Sequence, residues 1–196
     1  VLKELIENSI DAGSTKINII IERGGHDLIH VNDNGCGINQ NDLELAFTRH
    51  ATSKIKNVDD LNNINTLGFR GEALPSIASI SKCSLRSATT ENNSFEINIH
   101  GGEVVSLLPT TGLKGSTLII KNLFYNTPAR RKFLKKPETE QAAINKVMRT
   151  FMLAYPEISF LMTSNNKTVY DVSKQKLQQR IESIYGSINT KNLILV

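Results

Sequence analysis

The sequence predicts an α/β (α+β) fold in which helices accompany a mainly antiparallel β-sheet. Two kinds of segment support this class. Apolar residues recur at helical spacing near the start of the chain and again between residues 138 and 154. The chain also contains short segments rich in β-branched residues, which glycine or polar turns separate. Strands joined by such turns pair in antiparallel fashion, so we expect these segments to extend one sheet.

The chain begins with a predicted helix from Val1 to Ala12. Its apolar residues recur at helical spacing, and Gly13 stands where a helix C′ residue belongs. A second stripe of this helix carries polar residues three and four positions apart: Glu4, Glu7, Asn8 and Asp11. A solvated helix face explains such a stripe by itself. Asn8, however, is a poor helix former, which indicates a side chain required for its oxygen.

An acidic residue followed by two glycines ends the first predicted hairpin. The strands are Lys16 to Glu22 and Leu28 to Asn32, and Asp33, Gly35 and Gly37 come next. An ionised Asp33 only accepts hydrogen bonds, which suits a donating ligand edge such as the exocyclic amine of adenine. The glycines allow the main chain to approach that ligand. A simple turn is the alternative interpretation, since Asn-Gly is common in turns.

A long polar segment follows a short helix, which is predicted over Asn41 to Phe47 from the capping-box spacing of its first four residues. Residues 49–66 contain few apolar anchors, and a long loop in a compact domain is usually functional, often a lid. Gly68 and Gly71 then lead into a predicted helix from Glu72 to Ile80. The free N–H groups at the start of that helix suit an anion, and a simple loop hinge is the alternative.

The remaining sequence predicts four more strands, a basic run and a further unit of strands and helices. The strands are Cys83 to Thr89, Phe95 to His100, Val104 to Leu108 and Ser116 to Lys121. The basic run places five cations within seven residues: Arg130, Arg131, Lys132, Lys135 and Lys136. A solvated face explains such a run, and contact with a phosphate backbone is the alternative. The last predicted elements are a helix over Glu138 to Ala154, a hairpin of Ile158 to Ser164 and Thr168 to Val172, a helix over Lys174 to Tyr185, and a strand from Leu193.

Composition narrows the class of protein. A net charge of +4 and a pI near 9.1 make nucleic acid an admissible partner. Cys36 and Cys83 are too far apart for a zinc or redox motif, so a reducing compartment is favoured. The sequence contains no apolar run of about 18 residues and no leader, so the expected location is the cytoplasm. Both ends read as cut from a longer chain.

Together, these motifs form the parts of a nucleotide site. Mg²⁺ prefers oxygen ligands and keeps several waters, so the amide oxygen of Asn8 and phosphate oxygens would suffice to hold it. Hydrolysis requires a water aligned on the γ-phosphorus. Glu4, one helical turn before Asn8, is placed to accept the proton of that water. Glu7, on the same stripe, is the alternative base.

Five motifs occur in order along the chain: KELIENSIDAG, DNGCGI, RHATSKI, LGFRGEAL and LFYNTPARRKFL. Together they resemble the N-terminal ATPase region of the MutL mismatch repair proteins, within the GHKL ATPase superfamily. The resemblance implies Glu4 as general base, Asn8 as the Mg²⁺ ligand and Asp33 as the carboxylate that reads adenine. It further implies a set of nucleotide-binding residues: Gly37 beside the base, Thr52 and Lys54 near the nucleotide, Gly68, Arg70, Gly71, Glu72 and Ala73 at the phosphate-side lid hinge, and Thr117 in support of Asp33.

The resemblance also implies the architecture, a two-layer α/β sandwich with helices on one face of a mixed, mainly antiparallel sheet. Residues 1–185 are expected to form this ATPase domain, and residues 186–196 are expected to begin a second α/β domain. Family members carry an arm before the first helix that closes the ATP-bound dimer, and a lysine of the second domain acts on the γ-phosphate. Both lie outside this sequence, so the chain alone is expected to hydrolyse ATP weakly.

The function implied by the resemblance is an ATP-driven dimerising switch that couples mismatch recognition to strand removal. ATP and Mg²⁺ are the implied ligands. The implied partners are DNA, contacted largely through its backbone, a mismatch-recognition protein of the MutS type, downstream repair enzymes, and a second copy or a paralogue. Two alternatives stay open: another GHKL enzyme, such as a topoisomerase ATPase or a histidine kinase, and a DNA-binding module without ATPase activity.

Overall fold

Eight strands and six α-helices occur in the residues that the computed structural model of this chain describes, 1–48, 71–91 and 93–186. The strands are β1 (Lys16–Glu22), β2 (Leu28–Asp33), β3 (Lys82–Ala88), β4 (Ser94–His100), β5 (Glu103–Thr110), β6 (Gly115–Lys121), β7 (Ser159–Ser164) and β8 (Lys167–Val172). The helices are α1 (Leu2–Asp11), α2 (Gln40–Leu43), α3 (Ala73–Ala78), α4 (Pro128–Arg131), α5 (Pro137–Ala154) and α6 (Leu177–Tyr185). Short 3-10 turns at Arg23–Gly25 and Leu45–Phe47 join neighbouring elements.

The eight strands form one sheet in the order β5, β4, β3, β6, β2, β1, β7, β8. Six neighbouring pairs are antiparallel and one pair, β1 with β7, is parallel. A parallel pair needs a long connection, and the segment between β1 and β7 contains most of the other elements, with α5 immediately before β7. The sheet is therefore mixed and mainly antiparallel, which confirms the predicted fold class.

Apolar side chains in rows across the strands cover one face of the sheet. The central row contains Leu107, Ile97, Leu85, Leu118, Val31, Ile19, Met162 and Tyr170. Because side chains alternate along a strand, the rows two residues to either side point the same way. Ile6 of α1, Ile77 of α3 and Met152 of α5 join the same core. Helices α1, α3 and α5 therefore pack on this face, as the two-layer prediction requires.

The opposite face of the sheet is polar along its central strands, although Ile20, Ile119 and Leu161 also lie on it. Its central row contains Asn18, Asn32, Thr117, Arg86 and Glu96. Asn18 Nδ2 donates to Asn32 Oδ1 at 3.3 Å, and Asn32 Nδ2 donates to Thr117 Oγ1 at 2.8 Å. Strand alternation thus assigns a different chemistry to each face, and a single-residue shift in register would exchange them.

Most predicted element boundaries lie within two residues of the observed ones, including those of the helix predicted from Glu72 to Ile80 and observed as Ala73–Ala78. The short helix before it differs. The capping box predicted at Asn41 is wrong. The N-cap of α2 is the extended Asn39, whose side chain makes no cap hydrogen bond.

The C-terminal elements show one further difference. Helix α6 begins at Leu177 rather than at the predicted Lys174, because Lys176 is extended, with a φ of −69° and a ψ of 151°, and serves as the N-cap. The main-chain N–H groups before it bond to other parts of the chain. Lys174 N–H donates to Ser159 Oγ, and Gln175 N–H donates to Pro156 O, both at 3.0 Å. The strand predicted from Leu193 lies outside the described residues. Within the described ranges, no helix combines the length and the apolar character that a membrane crossing requires.

A buried arginine attaches α6 to the rest of the domain. Arg180 is 0% exposed, and its two terminal nitrogens donate to four main-chain carbonyl oxygens at 2.9 to 3.2 Å. These oxygens belong to Met152, Pro156, Ile158 and Ser173. Burial lowers the pKa of the Arg180 guanidinium, and the charge of Glu157 opposes that change. One side chain therefore connects α6 with the end of α5, the start of β7 and the end of β8.

Replacing Arg180 with methionine is expected to destabilise the domain by about 3 kcal/mol or more, because buried carbonyl groups lose their donors. Urea unfolding followed by circular dichroism measures this loss. Arg149→Met is the matched control. Arg149 makes one hydrogen bond, from Nη1 to the Tyr170 hydroxyl at 3.2 Å, so its loss should cost about 1 kcal/mol. Equal losses in the two variants would contradict the role given to Arg180.

Candidate functional site

The Asp33 carboxylate lies at the end of β2, on the face that the helices cover. Asp33 pairs with Ile17 of β1 and with Ser116 of β6, and its side chain is half-buried. Ser9 Oγ of α1 donates to Oδ2, and the N–H of Gly35 donates to Oδ1, each at 2.9 Å. An ionised carboxylate has about four acceptor positions, so roughly two stay available to a ligand that donates.

The glycine loop after Asp33 lies between the end of α1 and the end of β3. Cys36 N–H donates to Ala12 O at 2.9 Å, and a Cβ on Gly35 would stand 2.7 Å from the Ala12 Cβ. Gly37 has a φ of +72°, and a Cβ there would stand 2.1 Å from Ala88 O. Close main-chain packing on both sides explains why glycine occupies these two positions.

A cluster of serine hydroxyls continues the site along the same row of the sheet. Ile38 N–H donates to Ser87 Oγ at 2.8 Å, and Ser87 Oγ donates to Gly115 O at 3.0 Å. Since Ser87 has one hydroxyl proton, Ser116 Oγ, 2.8 Å away, is then the donor of their mutual bond. The cluster connects the glycine loop to β3 and β6. The sequence did not predict Ser9, Ser87 or Ser116 as site residues. The only sequence signal for them is that each is a polar residue at a position where the spacing predicts a core-facing side chain.

The register of β2 and β6 corrects the assignment of Thr117. Thr117 pairs with Asn32, and its hydroxyl accepts a hydrogen bond from Asn32 Nδ2 on the polar face. The Asp33 side chain points to the other face, where Ser116 is its direct neighbour. Ser116 therefore occupies the supporting position that the sequence prediction gave to Thr117.

Three charged residues of α1 lie close together, and their burial separates two candidate bases. Lys3 Nζ is 2.6 Å from Glu7 Oε1 and 3.8 Å from Glu4 Oε1. The Glu7 side chain is 9% exposed, whereas that of Glu4 is 45% exposed. The hydrogen bond to Glu7 is the main cause of the raised pKa of Lys3, and both carboxylates add to it against the effect of burial. Glu7 is thus engaged by Lys3, and Glu4 is the more accessible carboxylate.

The remaining predicted nucleotide residues are only partly described. Asn8 is half-buried on α1, one turn after Glu4. Gly71 has a φ of +62°, Glu72 is the N-cap of α3, and Ala73 is its first residue. Helix α3 packs on β3 and on the Leu45–Phe47 turn. Four predicted site residues lie outside the described residues: Thr52, Lys54, Gly68 and Arg70.

The basic run lies at the other end of the sheet. Arg130 and Arg131 end α4, and all five cations of the run are exposed. The segment that leads to them is attached near the start of β2, because Asn122 N–H donates to Asp27 O at 3.4 Å. Asp33 ends the same strand. At about 3.3 Å per residue, roughly 20 Å of strand separates the two regions.

Comparison with known proteins associates the chain with nucleotide-dependent enzymes. Residues 1–108 match the family model described as histidine kinase-, DNA gyrase B- and HSP90-like ATPase. The DNA mismatch repair protein MutL of Clostridium acetobutylicum is 48% identical over 196 residues, which cover 99% of this chain and 32% of that protein. MutL of Shouchella clausii is 46% identical over 195 residues, covering 99% of this chain and 30% of that protein. The chain therefore spans about 30% of the length of these curated relatives.

Solved structures show the same architecture. The Aquifex aeolicus MutL ATPase domain complexed with ADP matches with a TM-score of 0.74 and 31% identity, covering 94% of this chain and 66% of that one. The N-terminal domain of a DNA repair protein matches with a TM-score of 0.79 and 28% identity, covering 95% of this chain and 56% of that one. Both likenesses extend over nearly the whole chain.

Replacing Gly37 with alanine is expected to destabilise the domain more than the same change at Gly13. Both glycines have a φ of +72°, so alanine at either position pays about 1 kcal/mol of backbone strain. A Cβ on Gly13 meets nothing within 4 Å, whereas one on Gly37 overlaps Ala88 O. The overlap should add about 1–3 kcal/mol. Urea unfolding of both variants measures the difference. Equal losses of unfolding free energy would show that the loop at Gly37 accommodates the added Cβ without a further cost.

Proposed function

The chain belongs to the histidine kinase-, DNA gyrase B- and HSP90-like ATPase family, and from this membership we propose that it is the ATP-binding and ATP-hydrolysing part of a DNA mismatch repair protein of the MutL type. In this proposal ATP drives a dimerising switch that couples mismatch recognition to strand removal. The observation that carries the proposal is the Asp33 carboxylate. It is oriented by Ser9 and Gly35 and keeps acceptor capacity for a ligand.

Adenine is the ligand group that Asp33 suits. The exocyclic amine of adenine donates hydrogen bonds, whereas guanine presents a carbonyl oxygen at the corresponding position and would be repelled. Gly37, in main-chain contact with Ala88, offers a surface without a side chain beside the base. Ser116, bonded to Ser87, supports the same end of the sheet. The ADP complex of the Aquifex aeolicus MutL ATPase domain is consistent with an adenine nucleotide here.

The Mg²⁺ in the proposal needs few ligands from the protein. In the described part of the chain, no group of three or more His, Cys, Asp or Glu side chains could hold a metal ion. A single amide oxygen from Asn8 fits Mg²⁺, which takes its other ligands from phosphate oxygens and water. When bound, Mg²⁺ supplies positive charge to the phosphate oxygens.

Glu4 is the proposed general base. It accepts a proton from a water whose oxygen attacks the γ-phosphorus, so that phosphate forms and ADP leaves. Its exposure suits a group that must reach a ligand, whereas Glu7 is buried against Lys3 at 2.6 Å. Gly71, Glu72 and Ala73 form the described part of the proposed phosphate-side hinge. In the proposal, Gly68 and Arg70 complete the hinge, and Thr52 and Lys54 lie near the nucleotide. Weak hydrolysis by the chain alone is part of the same proposal.

The basic run is proposed to contact DNA phosphates without reading sequence. Its five cations are exposed, and none of the ion pairs among the described residues includes them. Such cations release counterions on binding and give a salt-dependent affinity. A mismatch-recognition protein of the MutS type, downstream repair enzymes and a second copy or a paralogue complete the proposed partners. In this role the protein acts on DNA in the bacterial cytoplasm.

Replacing Asp33 with asparagine should weaken ATP binding by about 1–3 kcal/mol, which is roughly 5- to 150-fold, because an amide donor replaces an acceptor. Isothermal titration calorimetry with ATP and GTP measures the change. Asp42→Asn, at an exposed carboxylate of α2, is the control and should bind ATP like the parent. Unchanged ATP affinity in Asp33→Asn, or equal ATP and GTP affinity in the parent, would refute the adenine assignment.

Replacing Glu4 with alanine should lower turnover about 10²- to 10⁴-fold while ATP still binds, because a general base acts in the transition state. Asn8→Ala should instead lose Mg²⁺-dependent ATP affinity together with turnover. Glu7→Gln is the comparison for a carboxylate held by Lys3. The measurements are ATP binding with and without Mg²⁺ and single-turnover hydrolysis in the full-length protein. If Glu4→Ala hydrolyses ATP at the parent rate, and Glu7→Gln loses turnover while it still binds ATP, then Glu7 is the general base.

A further inference from the structure

The side chain of Asn34 joins the glycine loop after Asp33 to the junction between α1 and β1. Its amide oxygen accepts hydrogen bonds from the N–H groups of Thr15 and Lys16, each at 2.9 Å. Its amide nitrogen donates to Thr15 Oγ1 at 2.8 Å. Asn34 is exposed, so water alone would satisfy this amide. Three hydrogen bonds to one two-residue segment therefore indicate a structural connection.

These bonds begin where the pairing of two strands ends. The ladder of β1 and β2 finishes with the pair of Ile17 and Asp33. Beyond that pair, the Asn34 side chain takes the place of a strand partner for Lys16 and Thr15. It thereby extends the attachment between β2 and β1 back toward the end of α1.

The rest of the loop holds the same junction through the main chain. Cys36 N–H donates to Ala12 O, at the end of α1, at 2.9 Å. A Cβ on Gly35 would stand 2.7 Å from the Ala12 Cβ and 2.8 Å from Ser14 Oγ, so the loop has little room to shift. The loop and the end of α1 therefore pack as one unit, and the Asn34 side chain supplies three of its hydrogen bonds.

Helix α1 carries the two residues that are proposed to act at the phosphate end of the nucleotide, Glu4 and Asn8. Asp33, which is proposed to bind adenine, lies on β2. The hydrogen bond from Ser9 to Asp33 attaches α1 to β2 at one point along the helix. A second attachment beyond the end of the helix restricts how α1 tilts about that point. This restriction matters because a reacting group displaced by about 1 Å loses much of its effect.

We propose that Asn34 is a positioning residue, which fixes the end of α1 to the glycine loop and so keeps Glu4 and Asn8 in place relative to a nucleotide on Asp33. The inference rests on the proposed ATPase function. It adds a residue that acts through Thr15 and Lys16 and makes no contact with the nucleotide or with Mg²⁺.

Two substitutions at Asn34 separate its hydrogen bonds from the amide group itself. Asn34→Ala removes all three bonds. Asn34→Asp keeps them, because one carboxylate oxygen accepts from both N–H groups, and the Thr15 hydroxyl donates its own proton to the other oxygen. Asn98→Ala is the matched control. It removes the bonds from Asn98 Nδ2 to Glu96 Oε1 at 3.3 Å and to Ser106 Oγ at 3.2 Å, on the face of the sheet opposite α1.

Hydrogen exchange of the full-length protein, followed by mass spectrometry, tests the attachment without any nucleotide. Asn34→Ala should raise the exchange rate of the α1 amides about 10-fold, the factor that one net hydrogen bond supplies, and leave α5 at the parent rate. In Asn34→Asp and Asn98→Ala, α1 should exchange as in the parent. Parental exchange of α1 in Asn34→Ala would overturn the proposal.

Kinetics of the full-length protein test the positioning role. Asn34→Ala should lower single-turnover ATP hydrolysis about 10- to 100-fold. ADP affinity without Mg²⁺ should stay within about threefold of the parent, since the bonds from Ser9 and Gly35 to Asp33 remain. Hydrolysis by Asn34→Asp and by Asn98→Ala should also stay within about threefold of the parent. Equal losses of ADP affinity and turnover in Asn34→Ala, or turnover in Asn34→Asp as low as in Asn34→Ala, would overturn the proposal.

Failure of this inference is distinguishable from failure of the proposed function. If Glu4→Ala loses turnover as expected, but Asn34→Ala hydrolyses ATP at the parent rate, then the ATPase function stands and Asn34 has no positioning role. If the parent protein neither binds nor hydrolyses ATP, then the proposed function is wrong. The positioning role falls with it, whatever the exchange rate of α1.

Discussion

The hydrogen bond from Ser9 Oγ to the Asp33 carboxylate fixes α1 against the end of β2, and the geometry of the candidate site depends on it. Asp33 occupies a core-facing position, where an unpaired carboxylate would be costly. Ser9 and the Gly35 N–H offset that cost and set the orientation of the carboxylate. The same bond fixes the rotation of α1. Glu4 and Asn8, four residues apart, then lie on one stripe of the helix beside Ser9.

Local signals explain why most of the fold could be predicted from the sequence. The alternation of Ile17, Ile19 and Ile21 marks β1, and Gly13 marks the end of α1, because each signal acts within a few residues. Asp33 was recognisable for the same reason. The serines were not, since the bond between Ser87 and Ser116 joins residues 29 positions apart and exists only in the observed register of β3 and β6.

Two other assignments depended on orientations that sequence spacing leaves open. Thr117 and Ser116 are neighbours in sequence, yet alternation places them on opposite faces, and only the pairing of β6 with β2 decides which one stands beside Asp33. Glu4 and Glu7 likewise share a helical stripe. The Lys3 ammonium lies 2.6 Å from Glu7, and Glu4 is the more exposed of the two carboxylates. Sequence spacing does not predict this difference.

The sheet itself cannot transmit a change between the Asp33 end and the basic run by sliding. Strands β3 and β6 run between these ends, and each is hydrogen-bonded on both sides, so a slip would reverse the faces of a buried core. Segments outside the sheet are not held by this register. Helix α3, which packs on β3 and on the Leu45–Phe47 turn, is one such segment. Gly71 and Glu72 precede it, and beyond its end the carbonyl oxygens of Ser79 and Ile80 hold the loop that carries Tyr125. A six-residue helix is about 9 Å long. Coupling by this route requires α3 to have two positions against β3, because a rigid connection with only one arrangement carries no free energy between sites.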